Sequence, residues 1–417
     1  ESSAASDVYK RQGMHVYVRP TDFEADEVNL KLFSMGGKSH YPDEDMPNLT
    51  YLMSGATIGG VGQYDNLTLE KMLAGKTASV SPFIDDETEG MRGSSNVKDI
   101  QTLLELIHLH FTQPRKDPEA FRNLMEQQDE FLTNSHVNPM IAYNDTLHKV
   151  AYATDRLESM NKKLLKKVSY DRIMQIYKER FANAADFKLI LTGNIDLERL
   201  RPLLCLYMAT LPANDTFEQV GTHGAKLIDG EKIHIFTKEQ TTPSAITTIV
   251  IKGKMEYNNR NDLLMDAIGQ LLRIVYTDKV REEKGGVYDV QVSGSLQHHP
   301  YDEAMLRIAF QTDPQKYKEL IPIIYEQLHK MADEGPTQED LDKVKTYELK
   351  VYNQVQRMNN YWEYVVYNDL FNGIDVDTNF QSIVESMTSE EIRNTLRQLL
   401  NQKNCIEVTM TQKPNTR

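Results

Sequence analysis

Val168-Ser169-Tyr170-Asp171-Arg172-Ile173, closing on Phe187-Lys188-Leu189-Ile190-Leu191-Thr192, recurs as Met387-Thr388-Ser389-Glu390-Glu391-Ile392, closing on Ile406-Glu407-Val408-Thr409-Met410-Thr411. Residues 168–192 align without gaps to 387–411, at an offset of 219. Both copies open a helix. Ser169 or Thr388 supplies the N-cap, and Thr388 with Glu391 reads as a capping box. Both copies end in an alternating or buried strand. The same offset joins the starts of the repeats, Met14-His15-Val16-Tyr17-Val18 with Ile233-His234-Ile235-Phe236-Thr237. Leu30 and Leu32 match Ile249 and Ile251. So long a period is no solenoid, and the chain reads as two duplicated domains.

The first domain is expected over residues 13–211 and the second over 231–417. Between them, 212–230 reads as a polar linker that begins Pro212-Ala213-Asn214-Asp215 and includes Gly221, Gly224 and Gly230. Each domain reads as strands, a helix, further strands, long helices, then a closing helix and strand. Asp117-Pro118-Glu119 signals one helix start, and Pro336-Thr337-Gln338-Glu339-Asp340 does the same in the second copy. Leu306, Ile308 and Phe310 alternate as a returning strand. The fold class this predicts is α+β, with a mixed or antiparallel sheet in each domain and helices packed on one face.

Residues 1–12 have neither the apolar core of a signal peptide nor the arginines of a transit peptide. They resemble a translated library adapter, a non-native scar, and the natural protein is expected to continue upstream. Hydrophobic residues at 40% and charged residues at 26% are those of an ordinary globular chain that can bury a core. No run approaches the ~18–20 apolar residues of a membrane span. A net charge of −14 argues against non-specific nucleic-acid binding. Cys205 and Cys405 are far apart and indicate neither a disulfide framework nor a zinc cluster.

One element carries chemistry. In Val280-Arg281-Glu282-Glu283-Lys284-Gly285-Gly286-Val287-Tyr288, an amphipathic helix with Leu264, Ala267, Ile268, Leu271 and Val275 on one face runs into a Gly-Gly break. A strand follows, with Tyr288, Val290 and Val292 on one face. Arg281 offers planar donors at the helix end, and Tyr288 one O–H at the strand start. Two such donors can grip a peptide or a developing oxyanion. On spacing alone, an Arg281 ion pair with Glu282 or Glu283 and a tyrosine capping the core is the stronger reading.

With these residues the chain resembles the C-terminal half of the pitrilysin/insulinase-type zinc metalloproteases, the inverzincins. Arg281 with Tyr288 seven positions on, Asn359-Asn360-Tyr361-Trp362 on a long helix, and the duplicated plan over 13–417 carry the resemblance. It implies a larger protein whose N-terminal half binds zinc through a His-x-x-Glu-His helix and a downstream Glu. It also implies that this half closes over a peptide or unfolded-protein substrate. Arg281 and Tyr288 would then position the substrate and stabilise the tetrahedral intermediate. A bacterial cell envelope is the compartment it suggests. This chain departs from a zinc domain, because no His-x-x-Glu-His occurs in it. The counterpart helix reads Met46-Pro47-Asn48-Leu49-Thr50-Tyr51-Leu52-Met53, and local alignment puts Leu73 and Val80 where the second repeat has Arg281 and Tyr288. The expectation is a chain with no metal or cofactor of its own, inactive alone, and paired with a zinc-binding half.

The remaining candidates read as structure. His108 and His110 sit two apart on a helix and face different ways. His298-His299 precedes Pro300 in a hairpin loop, and His15 and His234 are repeat-equivalent strand residues. Tyr352, Tyr361, Trp362, Tyr364 and Tyr367 fit helix packing better than substrate lining. No Gly-x-Ser-x-Gly or phosphate loop is present. Two rival functions share the fold: a non-catalytic structural or assembly subunit, and a module that binds peptides by strand addition.

Overall fold

The computed structural model describes residues 13–135, 137–284 and 290–412, without the side chains of 280–284. The first repeat runs β1 (His15–Pro20), β2 (Val28–Met35), α1 (Met46–Thr50), α2 (Leu52–Thr57), α3 (Asn66–Met72), β3 (Ala78–Ile84) and β4 (Thr88–Ser95). It continues with α4 (Ile100–Thr112), α5 (Pro118–Ser135), α6 (Pro139–Ala151), α7 (Lys162–Leu165), α8 (Tyr170–Arg180), β5 (Lys188–Gly193) and α9 (Leu197–Tyr207). The second runs β6 (Glu231–Lys238), β7 (Ala245–Gly253), α10 (Asn259–Lys284), β8 (Val290–Gln297) and β9 (Glu303–Thr312). Then come α11 (Tyr317–Glu334), α12 (Gln338–Val355), α13 (Asn359–Asn372), α14 (Phe380–Ser386), α15 (Ser389–Leu400) and β10 (Cys405–Gln412).

Two five-stranded mixed sheets result, ordered β1-β5-β2-β4-β3 and β6-β10-β7-β9-β8. The fold is α+β with mixed sheets, as the patterning predicts, but helices cover both faces of each sheet rather than one. The closing strands β5 and β10 hold the same place in their sheets. Each pairs parallel with its repeat's first strand and antiparallel with the second. Ser169 caps α8 and Thr388 caps α15, the latter with the full capping box to Glu391.

The ungapped alignment does not survive in the strands. Leu189 and Leu191 face the first repeat's helices, in one cluster with Ile173 and Tyr177 of α8. Val408, aligned with Leu189, faces the opposite way, in the cluster with Tyr143 of α6. The loops explain the slip. Seven residues (181–187) join α8 to β5, but only four (401–404) join α15 to β10. A side-chain period of two turns such an odd shift into a change of face.

The chain divides into two compact units that interleave along the sequence. One comprises residues up to Thr133, Met160–Gly224 and Asn353–Gly373; the other comprises Asn134–Ser159, Ala225–Tyr352 and residues from Ile374 on. Helix α13 of the second repeat therefore belongs to the first sheet, and α6 of the first repeat to the second sheet. In the first unit Tyr367 and Phe371 of α13 pack with Phe33, Phe83 and Ile190 on the sheet face away from α8. In the second, Tyr143 and Val150 of α6 pack with Val250, Ile406, Val408 and Met410.

The segment read as a polar linker is fastened over part of its length. Asn214 N–H donates to Asn183 Oδ1 (2.8 Å), Glu218 N–H to Asp186 (3.1 Å), Gly221 N–H to Ser39 Oγ (2.7 Å) and His223 N–H to the Ser39 carbonyl (3.1 Å). A Cβ on Gly221 would lie 2.3 Å from the Ser39 carbonyl oxygen, so only glycine fits against that backbone.

Candidate functional site

Helix α10 is the longest helix of the described chain, and its apolar stripe is the expected one. Leu264, Ala267, Ile268 and Leu271 are buried in the core of the second unit, and Val275 packs against it. The helix lies against β8 at very short range. A Cβ on Gly294 would fall 1.9 Å from the Met265 carbonyl oxygen, and one on Gly269 would fall 2.7 Å from the Gly294 nitrogen. Glycine at both positions lets helix and strand backbones approach. Arg281 falls within the last turn of α10, and Val290 begins β8 in register with Phe310. The Arg281 side chain and all of Tyr288 lie outside the described residues.

Strand β8 is an edge. Among the described residues it pairs with β9 alone. Val290 and Leu296 turn inward and are buried, while Gln291, Ser293, Ser295 and Gln297 are exposed, uncharged and polar. The equivalent edge in the first unit is β3, which among the described residues pairs with β4 alone. It carries Pro82 in the ladder, so any partner on its outer side meets a missing N–H donor. The ladders also correct the local alignment. Leu30 opposes Gly93, which opposes Val80; its repeat partner Ile249 opposes Ile308, which opposes Val292. Val80 is thus the counterpart of Val292, not of Tyr288. In the sequence Lys76 stands four positions before Val80, as Tyr288 stands four before Val292.

The residues at the zinc-helix counterpart do not fit a metal. Helices α1 and α2 contain no His, Cys, Asp or Glu, and Asn48 instead accepts the Ser169 N–H at 2.8 Å. Among the described residues, no group of three or more potential ligands could hold a metal ion. His108 Nδ1 bonds the Tyr207 carbonyl at 2.8 Å, while burial pushes the His110 pKa down to about 4. His298 bonds Asp302 at 2.7 Å and stacks on Tyr257. Cys205 is exposed, and Cys405 meets the Tyr325 hydroxyl.

Asn359 and Trp362 anchor α13 to the first sheet. The Thr192 hydroxyl donates to the Asn359 carbonyl (3.1 Å), Asn359 Nδ2 donates to Glu27 (3.0 Å), and the Arg19 guanidinium lies 3.3 Å from the Trp362 ring centroid. The aromatic residues do not share one helix: Trp362 and Tyr367 of α13 pack on the first sheet, Tyr352 lies on α12 and stacks on Phe380, and Tyr364 is exposed.

Sequence reasoning missed a buried charged cluster in the first unit. Glu89 on β4 is 1% exposed and accepts the Gly37 N–H at 2.5 Å. Burial pushes its carboxyl up to about 8, although Arg180 at 3.7 Å opposes the shift. Arg180 also pairs with Glu218 of the fastened linker at 2.5 Å. Nothing in a strand containing one glutamate signals this, because the partners come from residues 37, 180 and 218.

Comparison with known proteins follows the same lines. Residues 167–347 match the family described as the peptidase M16 inactive domain. "Zinc protease PQQL-like" from Arabidopsis thaliana is 23% identical over 373 residues, covering 84% of this chain and 36% of that protein. "Probable zinc protease PqqL" from Escherichia coli is 18% identical over 396 residues, covering 93% of this chain and 42% of that protein. The chain thus spans less than half the length of either. The crystal structure of that periplasmic protease superposes with a TM-score of 0.86 at 16% identity, over 99% of this chain and 47% of that one. The ferredoxin protease FusC, solved as a mutant in complex with Arabidopsis ferredoxin, superposes at 0.83 and 16% identity, over 99% and 46%.

Proposed function

This chain belongs to the pitrilysin-type, or M16, family of zinc peptidases, as its non-catalytic C-terminal half, and from that premise we propose that it closes over an extended polypeptide held by a zinc-binding half. The substrate is a peptide or an unfolded protein segment. The observation that carries this reading is the edge position of β8, which among the described residues pairs with β9 alone and follows the Arg281–Tyr288 element in the sequence. An extended chain can add to such an edge through main-chain hydrogen bonds, and uncharged side chains along the strand leave the choice of sequence broad. Arg281 supplies a fixed fork for a carbonyl or carboxylate. Tyr288 supplies one O–H to the oxygen that gains charge when the peptide bond is attacked. A water-activating metal would be held by the other half. FusC was crystallised with a protein, ferredoxin, which agrees with a polypeptide substrate class.

The test is reconstitution. This chain alone, incubated with a quenched peptide library, should show no turnover that follows it through chromatography. Combined with the zinc-binding half it should restore turnover, and Arg281→Ala should lower it. Full turnover by the zinc-binding half alone, unchanged on adding this chain, would leave the structural-subunit reading in its place.

A further inference from the structure

From the interleaving of the two units, we infer that each repeat completes the other's sheet with a helix, so that the two are partners which stay bound when the covalent link between them is cut. The exchange is reciprocal and repeats at the same spacing. The first crossing begins at Asn134 and the second at Asn353, the repeat offset of 219. Each crossing delivers one helix, α6 or α13, to a sheet face that its own repeat leaves uncovered.

The contacts made by the delivered helices are those of a core. On the second sheet, Tyr143 of α6 is 2% exposed. Its hydroxyl donates to Thr248 Oγ1 at 2.7 Å, deep between β7 and β10. Ala151 and Val150 are buried beside it, and Ala151 accepts the Ile228 N–H at 2.9 Å. On the first sheet, Phe33 is 0% exposed beneath α13, with its ring centroid 4.7 Å from that of Tyr367. Lys31 lies 3.4 Å from the same tyrosine ring, and Asn359 is 2% exposed among Thr21, Thr192 and Glu27. A sheet stripped of such a helix would bare a contiguous apolar face, which a folded chain in water does not tolerate. The linear join at residues 212–230 is therefore not what holds the repeats together.

The experiment uses the full chain with a site-specific protease sequence inserted after Gly224, where an added side chain meets nothing within 4 Å. Cleavage leaves α6 on one fragment and α13 on the other. The fragments should stay folded and co-elute at the volume of the uncut chain at micromolar concentration, and part only in denaturant. Tyr143→Ala and Phe371→Ala should each weaken fragment association on the order of 100-fold, the scale of a large-to-small change in a core. Tyr143→Phe, which keeps the ring, should weaken it about five-fold, the scale of one buried hydrogen bond. Ile173→Val, in the first unit's core between elements of one repeat, should change it by less than about three-fold. Fragments that separate or unfold in native buffer overturn the inference. So does association that none of the Tyr143 and Phe371 variants weakens beyond the Ile173→Val control.

Discussion

The two copies of one structural plan treat their outermost strand in opposite ways. In the first, β3 carries Pro82 in its ladder and follows α3, a helix of seven residues. In the second, β8 has no proline and follows α10, a helix of 26 residues pressed onto the strand at Gly269 and Gly294. A proline blunts an edge, and a long helix gives a strand a rigid backing and a fixed end. The two edges thus differ while strand order and sheet size stay the same.

The largest effect is expected at the helix-to-strand turn of the second repeat. With the zinc half restored, Tyr288→Phe should lower kcat about 10²–10³-fold with little change in KM, because one oxyanion donor is lost. Arg281→Ala should damage both constants, and Arg281→Lys should rescue poorly because a point charge cannot replace a planar fork. The first-repeat control is Lys76→Ala. Lys76 pairs with buried Asp99 at 3.1 Å, so this change should act on stability and leave kcat alone. Wild-type turnover in both Tyr288→Phe and Arg281→Ala would make the second edge as inert as the first.

Next in size is the edge itself. Ser293→Lys with Ser295→Lys puts charge along β8 and should raise KM on the order of tenfold, a little over 1 kcal/mol. Ser79→Lys with Ser81→Lys on β3 should leave KM unchanged. Equal effects at the two edges would mean that neither binds the substrate.

A smaller difference concerns the faces covered by exchanged helices. Tyr143→Phe in the uncut chain removes the bond to Thr248 and should cost about 1 kcal/mol in urea titration, with the Thr248 hydroxyl left buried. No loss would show that water replaces the bond.

The smallest effect is pH-dependent and belongs to the first unit alone. Glu89 has a raised carboxyl there, while the equivalent ladder position in the second unit is Ala304. The folded state keeps a proton that the unfolded chain has lost between about pH 4.5 and about pH 8. Stability from this group therefore falls as pH rises through that window. Glu89→Gln keeps an acceptor for the Gly37 N–H and should flatten the fall in Tm across the window by a few degrees. An unchanged slope would mean that Arg180 holds Glu89 charged in the fold.

Much of this was legible in the residues. The caps at Ser169 and Thr388, the stripe of Leu264, Ala267, Ile268 and Leu271, and the alternation of Leu306, Ile308 and Phe310 are local patterns, and the structure keeps them. The pairing of Leu189 with Val408 failed because sequence similarity does not register loop length, and one odd step reverses a strand. Likewise, no short alignment brings Val80 opposite Val292, because α3 and α10 differ so much in length.

The duplication, the α+β class, the inner faces of the helices and the departure from a zinc helix are all readable along the chain, since each is written in neighbouring residues as period, cap or missing ligand. Only the tertiary structure decided which sheet α6 and α13 complete, that residues 214–223 are fastened to Ser39, Asn183 and Asp186, and that Glu89 meets Arg180. Those outcomes depend on which apolar faces and buried polar groups remain unmatched once the local elements have formed, and the residues that satisfy them lie as much as 338 positions away, as Thr21 and Asn359 do.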